Sequence, residues 1–240
     1  MFGIPFDTAF YALVLPCVLL AALASARVNS TFKKYSKQLS RRNITGAEAA
    51  QRVLAANGVS GVRIERVSGN LTDHFDPKSN VIRLSDSVYS SASTAAIGVA
   101  AHEAGHAVQY AKSYAPIKLR AAIIPVTNIG SKLAMPLILI GLLLSYAAEI
   151  SADSAYVFIE LGIACFSLSL IFQLITLPVE FNASRRALET IKRNDLLTPE
   201  EQIGARKTLT AAAMTYVAAV AVSLAQLLRL ILLFGGRRDD

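Results

Sequence analysis

Two histidines and a glutamate stand together in Val99-Ala-Ala-His102-Glu103-Ala-Gly-His106-Ala-Val108, an H-E-x-x-H pattern inside a helical-looking run. On a helix, residues four apart lie on one face about one turn apart, so His102 and His106 can present two imidazoles to a single ion. Glu103 is rotated by about 100° from His102, where a carboxylate can hold a water beside that ion. Two neutral nitrogen ligands and a general base are the minimum kit of a zinc hydrolase. The chain has only three histidines, and two of them are here.

Catalytic zinc takes three protein ligands and keeps one position open. Two residues compete for the third place. His74, in Leu71-Thr-Asp-His74-Phe-Asp76, sits in a strand-to-turn stretch where a partly exposed histidine needs no metal. Glu180, in Pro178-Val-Glu180-Phe-Asn-Ala-Ser184-Arg-Arg-Ala187, is better placed, because it follows an apolar block and falls on the same membrane side as His102 by charge bias. Pro178 is expected to initiate a helix there that packs against the first. A glutamate near a helix N-terminus is also favoured by the macrodipole alone. Ser184, one turn on, can hydrogen-bond a ligand from behind. Arg185 and Arg186 read as charges facing the inner leaflet.

The elements that must position these residues are set by composition. Apolar residues make up 53% of the 240 and come in long blocks, which excludes an ordinary soluble chain. Four blocks are candidate spans: Ala9 to Ala26, Leu133 to Ala148 with an earlier start open, Ala155 to Val179, and Leu209 to Phe234 as the least secure. Glu160 interrupts the third and reads either as a polar helix contact or as structural burial. The first block resembles a signal peptide at Ala24-Ser25-Ala26, but no basic residue precedes it and many follow, which favours an uncleaved anchor. Cys17 and Cys165 lie in apolar blocks and read as small buried hydrophobes.

Residues 27–120 carry fourteen basic and six acidic side chains, and residues 180–208 carry six basic and five acidic. Between the second and third blocks stand only Glu149 and Asp153. The positive-inside rule puts both polar segments in the cytoplasm and the acidic turn outside. The arginines of the Arg237-Arg238-Asp239-Asp240 tail run against that assignment. The expected division is an anchor over 1–26, a basic segment with short strands and the histidine helix over 27–120, spans two and three over 121–179, a cytoplasmic helix over 180–208, and a fourth span with its tail over 209–240. Within the basic segment, Thr45-Gly-Ala-Glu48 is a capping box for a helix to about Ala56, stopped by Asn57-Gly58. Gly61–Val67 and Val81–Leu84 read as strands, and Ser93 or Thr94 caps the histidine helix, which runs to about Tyr110. A sheet edge beside that helix is either a cradle for an extended peptide or a simple cover.

Taken together, Leu-Thr-Asp-His-Phe-Asp-Pro, Ala-His-Glu-Ala-Gly-His-Ala and Leu-Pro-Val-Glu-Phe-Asn-Ala-Ser-Arg-Arg-Ala resemble the YugP-type membrane zinc metallopeptidases of bacteria. More distantly, the chain is similar to HtpX and the CAAX-processing membrane proteases, a gluzincin group. The resemblance implies a mainly α membrane protein with about four transmembrane helices and a small α+β, zincin-like catalytic region at the cytoplasmic face of the bacterial cell membrane. It implies zinc on His102, His106 and Glu180, with Glu103 as general base in peptide-bond hydrolysis. In the wider group the metal glutamate opens an E-x-x-x-D pattern whose aspartate braces a histidine; here position 184 is serine. Expected partners are a membrane-associated protein or peptide substrate, the lipid bilayer, and a second copy or a membrane partner protein, with no nucleic acid. The alternative is an inactive membrane adaptor that retains the fold. An intramembrane protease is disfavoured by the polar flanks Ser90–Thr94 and Gln109–Lys112, and polar packing of the histidines alone is disfavoured by the matching Glu180.

Overall fold

The computed structural model describes residues 6–146 and 152–235; Glu149 and the Arg237–Asp240 tail lie outside them. A short helix α1 (Phe6–Ala9) passes through a π-helical turn at Phe10–Val14 into α2 (Leu15–Tyr35). The π turn directly precedes Pro16, which has no N–H to give to the helical ladder. Next come α3 (Gly46–Ala56), β1 (Arg63–Val67), β2 (His74–Asp76), β3 (Val81–Ser85), α4 (Asp86–Tyr89) and α5 (Thr94–Ala111). Three long helices finish the chain: α6 (Ala115–Tyr146), α7 (Ala152–Arg193) and α8 (Pro199–Phe234). The architecture is mainly α with a small α+β region. Four stretches, Phe10–Tyr35, Ala115–Ser145, Ser154–Arg193 and Pro199–Phe234, are long and apolar enough to cross a membrane.

The chain divides into two compact units. One comprises residues 1–23, 119–176 and 216–240. Here α6 and α7 approach through small residues: a Cβ on Gly141 would stand 2.7 Å from the Ala155 carbonyl oxygen, and one on Gly162 would stand 2.8 Å from that of Ala134. Gln173 of α7 donates to the Ser223 hydroxyl of α8 at 2.6 Å. Leu19, Leu139, Leu143, Leu161 and Leu232 are exposed, as side chains solvated by lipid would be. Glu160 lies on an exposed side of α7.

The other unit comprises residues 24–118 and 177–215. Its core joins Val53 of α3, Ile82 and Leu84 of β3, Ile97 and the alanines of α5, and Ile191, Leu196 and Leu197. Thr45 caps α3 in a reciprocal box with Glu48, and the Ser93 hydroxyl caps α5 by accepting from the Ala96 N–H. The sheet has the order β1-β3-β2, with β1 parallel and β2 antiparallel to β3. Central β3 is almost wholly buried, which explains its apolar Val81-Ile82 and Leu84. The three-residue β2 is too short to show an alternating pattern, and the sequence reading passed over it as a strand-to-turn stretch.

Two long helices depart from expectation. Pro178 does not initiate a helix but lies inside α7, which runs unbroken past Glu180 to Arg193. Long apolar helices tolerate an internal proline. Likewise α8 begins at Pro199, ahead of the apolar block that starts at Leu209. Its start is a second capping box: the Thr198 N–H donates to Glu201 at 2.9 Å, and the Glu201 N–H donates to the Thr198 hydroxyl at 3.4 Å. Pro199 takes the first helical position, where a missing donor costs nothing. The expected divisions after residues 179 and 208 therefore fall within continuous helices.

Candidate metal centre

Helix α5 is built to be approached closely. Ala95, Ala96, Ala100, Ala101 and Ala104 are fully buried, and Gly98 and Gly105 lie seven residues apart on one face. At Gly105 the backbone of α7 comes so near that a Cβ would stand 2.7 Å from the Ala183 carbonyl oxygen. At Gly98 a Cβ would stand 3.2 Å from the Cα of Ala205 in α8. The glycine inside the H-E-x-x-H motif thus sets the α5–α7 distance.

Glu180 of α7 consequently reaches both histidines of α5. Its Oε2 lies 3.2 Å from His102 Nε2 and 3.4 Å from His106 Nε2. One donor atom from each of the three residues lies within 4.8 Å of the others. The imidazoles meet edge to face, with ring centroids 4.7 Å apart. Glu180 is 2% exposed, while His106 and Glu103 are each 9% exposed. Tetrahedral zinc with bonds of about 2.0–2.2 Å separates neighbouring donors by about 3.3–3.6 Å, so the spacing and the donor set both suit that ion.

Hydrogen bonds behind the cluster fix which nitrogens face it. Gln109 spends both amide hydrogens elsewhere, donating to the Val179 carbonyl at 2.8 Å and to Asn182 Oδ1 at 3.0 Å. Its Oε1, 3.0 Å from His106 Nδ1, can therefore only accept. Nδ1 of His106 therefore carries a proton, and Nε2 is the atom that faces Glu180. On the other ring, His102 Nδ1 lies 3.0 Å from the Ser184 hydroxyl oxygen, so the serine stands where the resemblance implies an aspartate brace. Asn182 Oδ1 also accepts from Arg186 Nε at 2.7 Å, and the guanidinium lies over the Tyr114 ring. Arg186 is thus tied into the support of the site.

The cluster is electronegative. Burial opposes a charge on His106, yet hydrogen bonding and attraction from Glu180, with Glu103 adding to it, raise its pKa above the ordinary histidine value. A pocket that draws a proton in this way also draws a metal cation. Among the described residues nothing hydrogen-bonds the Glu103 carboxylate. Asp73, just before β2, lies within electrostatic reach of Glu103. Burial raises the Asp73 pKa and repulsion from Glu103 adds to it, against the hydrogen bonds that Ser85 donates.

His74 is outside the cluster: it is exposed on β2, with Nδ1 2.9 Å from the Thr72 carbonyl oxygen. Gln109, Asn182 and Asp73 were missed in the sequence. Gln109 follows His106 by three positions, a spacing that puts it on the histidine face, and that signal was there to be read.

Comparison with known proteins agrees with this geometry. Residues 10–235 match the family described as "Putative neutral zinc metallopeptidase". The chain is 46% identical over 231 residues to "Putative membrane protease YugP" of Bacillus subtilis (strain 168), covering 96% of this chain and 99% of that protein. No solved structure matches the chain. The His-Glu-His cluster, the four apolar helices and a family match over nearly the whole length converge on one assignment: the chain belongs to this family of membrane zinc metallopeptidases.

Proposed function

We propose that this chain is a zinc metalloendopeptidase of gluzincin type, hydrolysing peptide bonds near the cytoplasmic face of a bacterial plasma membrane. The observation that carries the reading is the convergence of Glu180 Oε2 on the two Nε2 atoms of His102 and His106. His102, His106 and Glu180 would hold the zinc, and its chemistry there would be that of a Lewis acid toward the scissile carbonyl and an activator of water. Glu103 takes a proton from the attacking water and delivers it to the leaving amine nitrogen. Gln109 keeps His106 in the tautomer that offers Nε2, and Ser184, within hydrogen-bond reach of His102 Nδ1, orients the other imidazole. The charge bias of residues 27–120 and 180–208 favours the cytoplasmic side for this machinery.

The substrate is a membrane-associated protein or peptide. Strand β2 ends the sheet with one edge unpaired, and its Phe75 packs on Tyr110 of α5 at 5.6 Å between ring centroids. An extended segment added at that edge would lie beside the H-E-x-x-H helix.

Glu103→Gln tests the reading. The variant should bind zinc as the wild type does while cleavage of a membrane-protein substrate falls by about 10²–10⁴-fold. Zinc lost from the variant, or turnover retained, contradicts the role given to Glu103. Zinc bound by a wild type that cleaves nothing points to the adaptor.

A further inference from the structure

Beside the metal centre, which it touches at Ser184, α7 and α8 enclose a groove of about 510 Å³. Phe181, Arg185, Leu188 and Lys192 form one wall, and Arg206, Leu209, Thr210 and Met214 face them. The first set recurs at three- or four-residue intervals, and Leu209, Thr210 and Met214 follow Arg206 by three, four and eight positions, so each set is a single stripe of its helix. The two ends of the groove differ. The wall residues nearest the apolar runs of their helices, Phe181 and Met214, are apolar and each 46% exposed. Those furthest from the apolar runs, Lys192 and Arg206, are exposed cations. Among the described residues neither has an ion-pair partner, and Arg185 has only Glu189 at 4.0 Å, both side chains well exposed. Three cations against one carboxylate leave the polar end positive.

We infer that this groove binds an anionic phospholipid, its phosphate on Arg185, Lys192 and Arg206 and one acyl chain along Phe181, Leu209 and Met214. The charge asks for an anion, and the exposed aromatic and thioether side chains at the other end ask for an apolar partner. The order of the two along helices that continue into candidate membrane spans matches that of headgroup and chain in a leaflet. From Phe181 to Lys192 the wall is about 16 Å long, enough for a headgroup and the upper part of a chain. A free phosphate would satisfy only the cationic end. The inference does not rest on the peptidase reading.

The test uses the full chain in phosphatidylcholine vesicles containing a photo-crosslinkable phosphatidylglycerol at low mole fraction. The label should attach within residues 181–214, and Lys192→Gln combined with Arg206→Gln should lower attachment by about tenfold. Thr210→Trp, which fills the groove from an exposed position without altering charge, should lower it comparably. A phosphatidylcholine carrying the same photo-label should attach weakly, and inorganic phosphate at millimolar concentration should not compete. Equal attachment of the two labelled lipids, competition by phosphate, or unchanged attachment in both variants would overturn the inference.

Discussion

The carbonyl oxygen of Ala183 lies 2.7 Å from where a Cβ on Gly105 would be, so the fourth residue of the H-E-x-x-H motif is constrained by a helix it does not belong to. Gly105→Ala must push α7 away from α5 and take Glu180 with it. We predict a zinc affinity lowered by about 10–100-fold and a stability loss of about 1–3 kcal/mol, read by competition with a chromogenic chelator and by thermal unfolding. Gly98→Ala meets Ala205 at 3.2 Å, a contact with more give, and should leave zinc affinity close to wild type.

Gln109 holds His106 to one tautomer while satisfying the Val179 carbonyl and Asn182. Gln109→Leu keeps the bulk and removes all three bonds. Zinc affinity should fall by about 10–100-fold, with α5 helicity unchanged by circular dichroism. Wild-type affinity in this variant would mean that the tautomer is set by another group.

Ser184 offers a hydroxyl to His102 Nδ1 where the wider group has an aspartate. Ser184→Ala should weaken zinc binding by about tenfold. Ser184→Asp, which restores a charged acceptor, should bind zinc at least as tightly as the wild type. A titration in which alanine and aspartate behave alike would remove serine from this role.

Among the described residues outside the metal centre, Asp76 has the most strongly depressed carboxyl pKa. The Ser79 hydroxyl first, then Arg83, hold its pKa well below the usual carboxylate range. A carboxyl whose folded pKa is depressed stabilises the fold above the unfolded value of about 3.9 and loses that contribution as pH falls further. The difference in melting temperature between wild type and Asp76→Asn should therefore be constant from pH 7 to about pH 5 and shrink below about pH 4. A gap that widens in acid would show the opposite sign and contradict the assignment.

What the sequence made legible follows from the range of each interaction. The Thr45–Glu48 box and the His102–His106 spacing are local, written within one helical turn, and could be read directly. Glu180, 78 positions from His102, was reached through charge bias and its place after an apolar block, and the family resemblance then matched it. The turn of helix at Pro178 and the start of α8 at Pro199 were misplaced for a shared reason: the apolar blocks mark where lipid would lie, whereas the helices continue past them on buried contacts and caps. Strand β2 and the Gln109–Asn182 bond depend on partners far along the chain, and no local pattern announces them.

The central claim is that α5 and α7 together make one three-ligand zinc site. Its most direct test is zinc stoichiometry in the detergent-purified full chain, measured by elemental analysis for the wild type and for Glu180→Ala. The account predicts about one zinc per chain in the wild type and loss or severe weakening in the variant. Full zinc in Glu180→Ala, or no zinc in a wild type supplied with it, would contradict the claim.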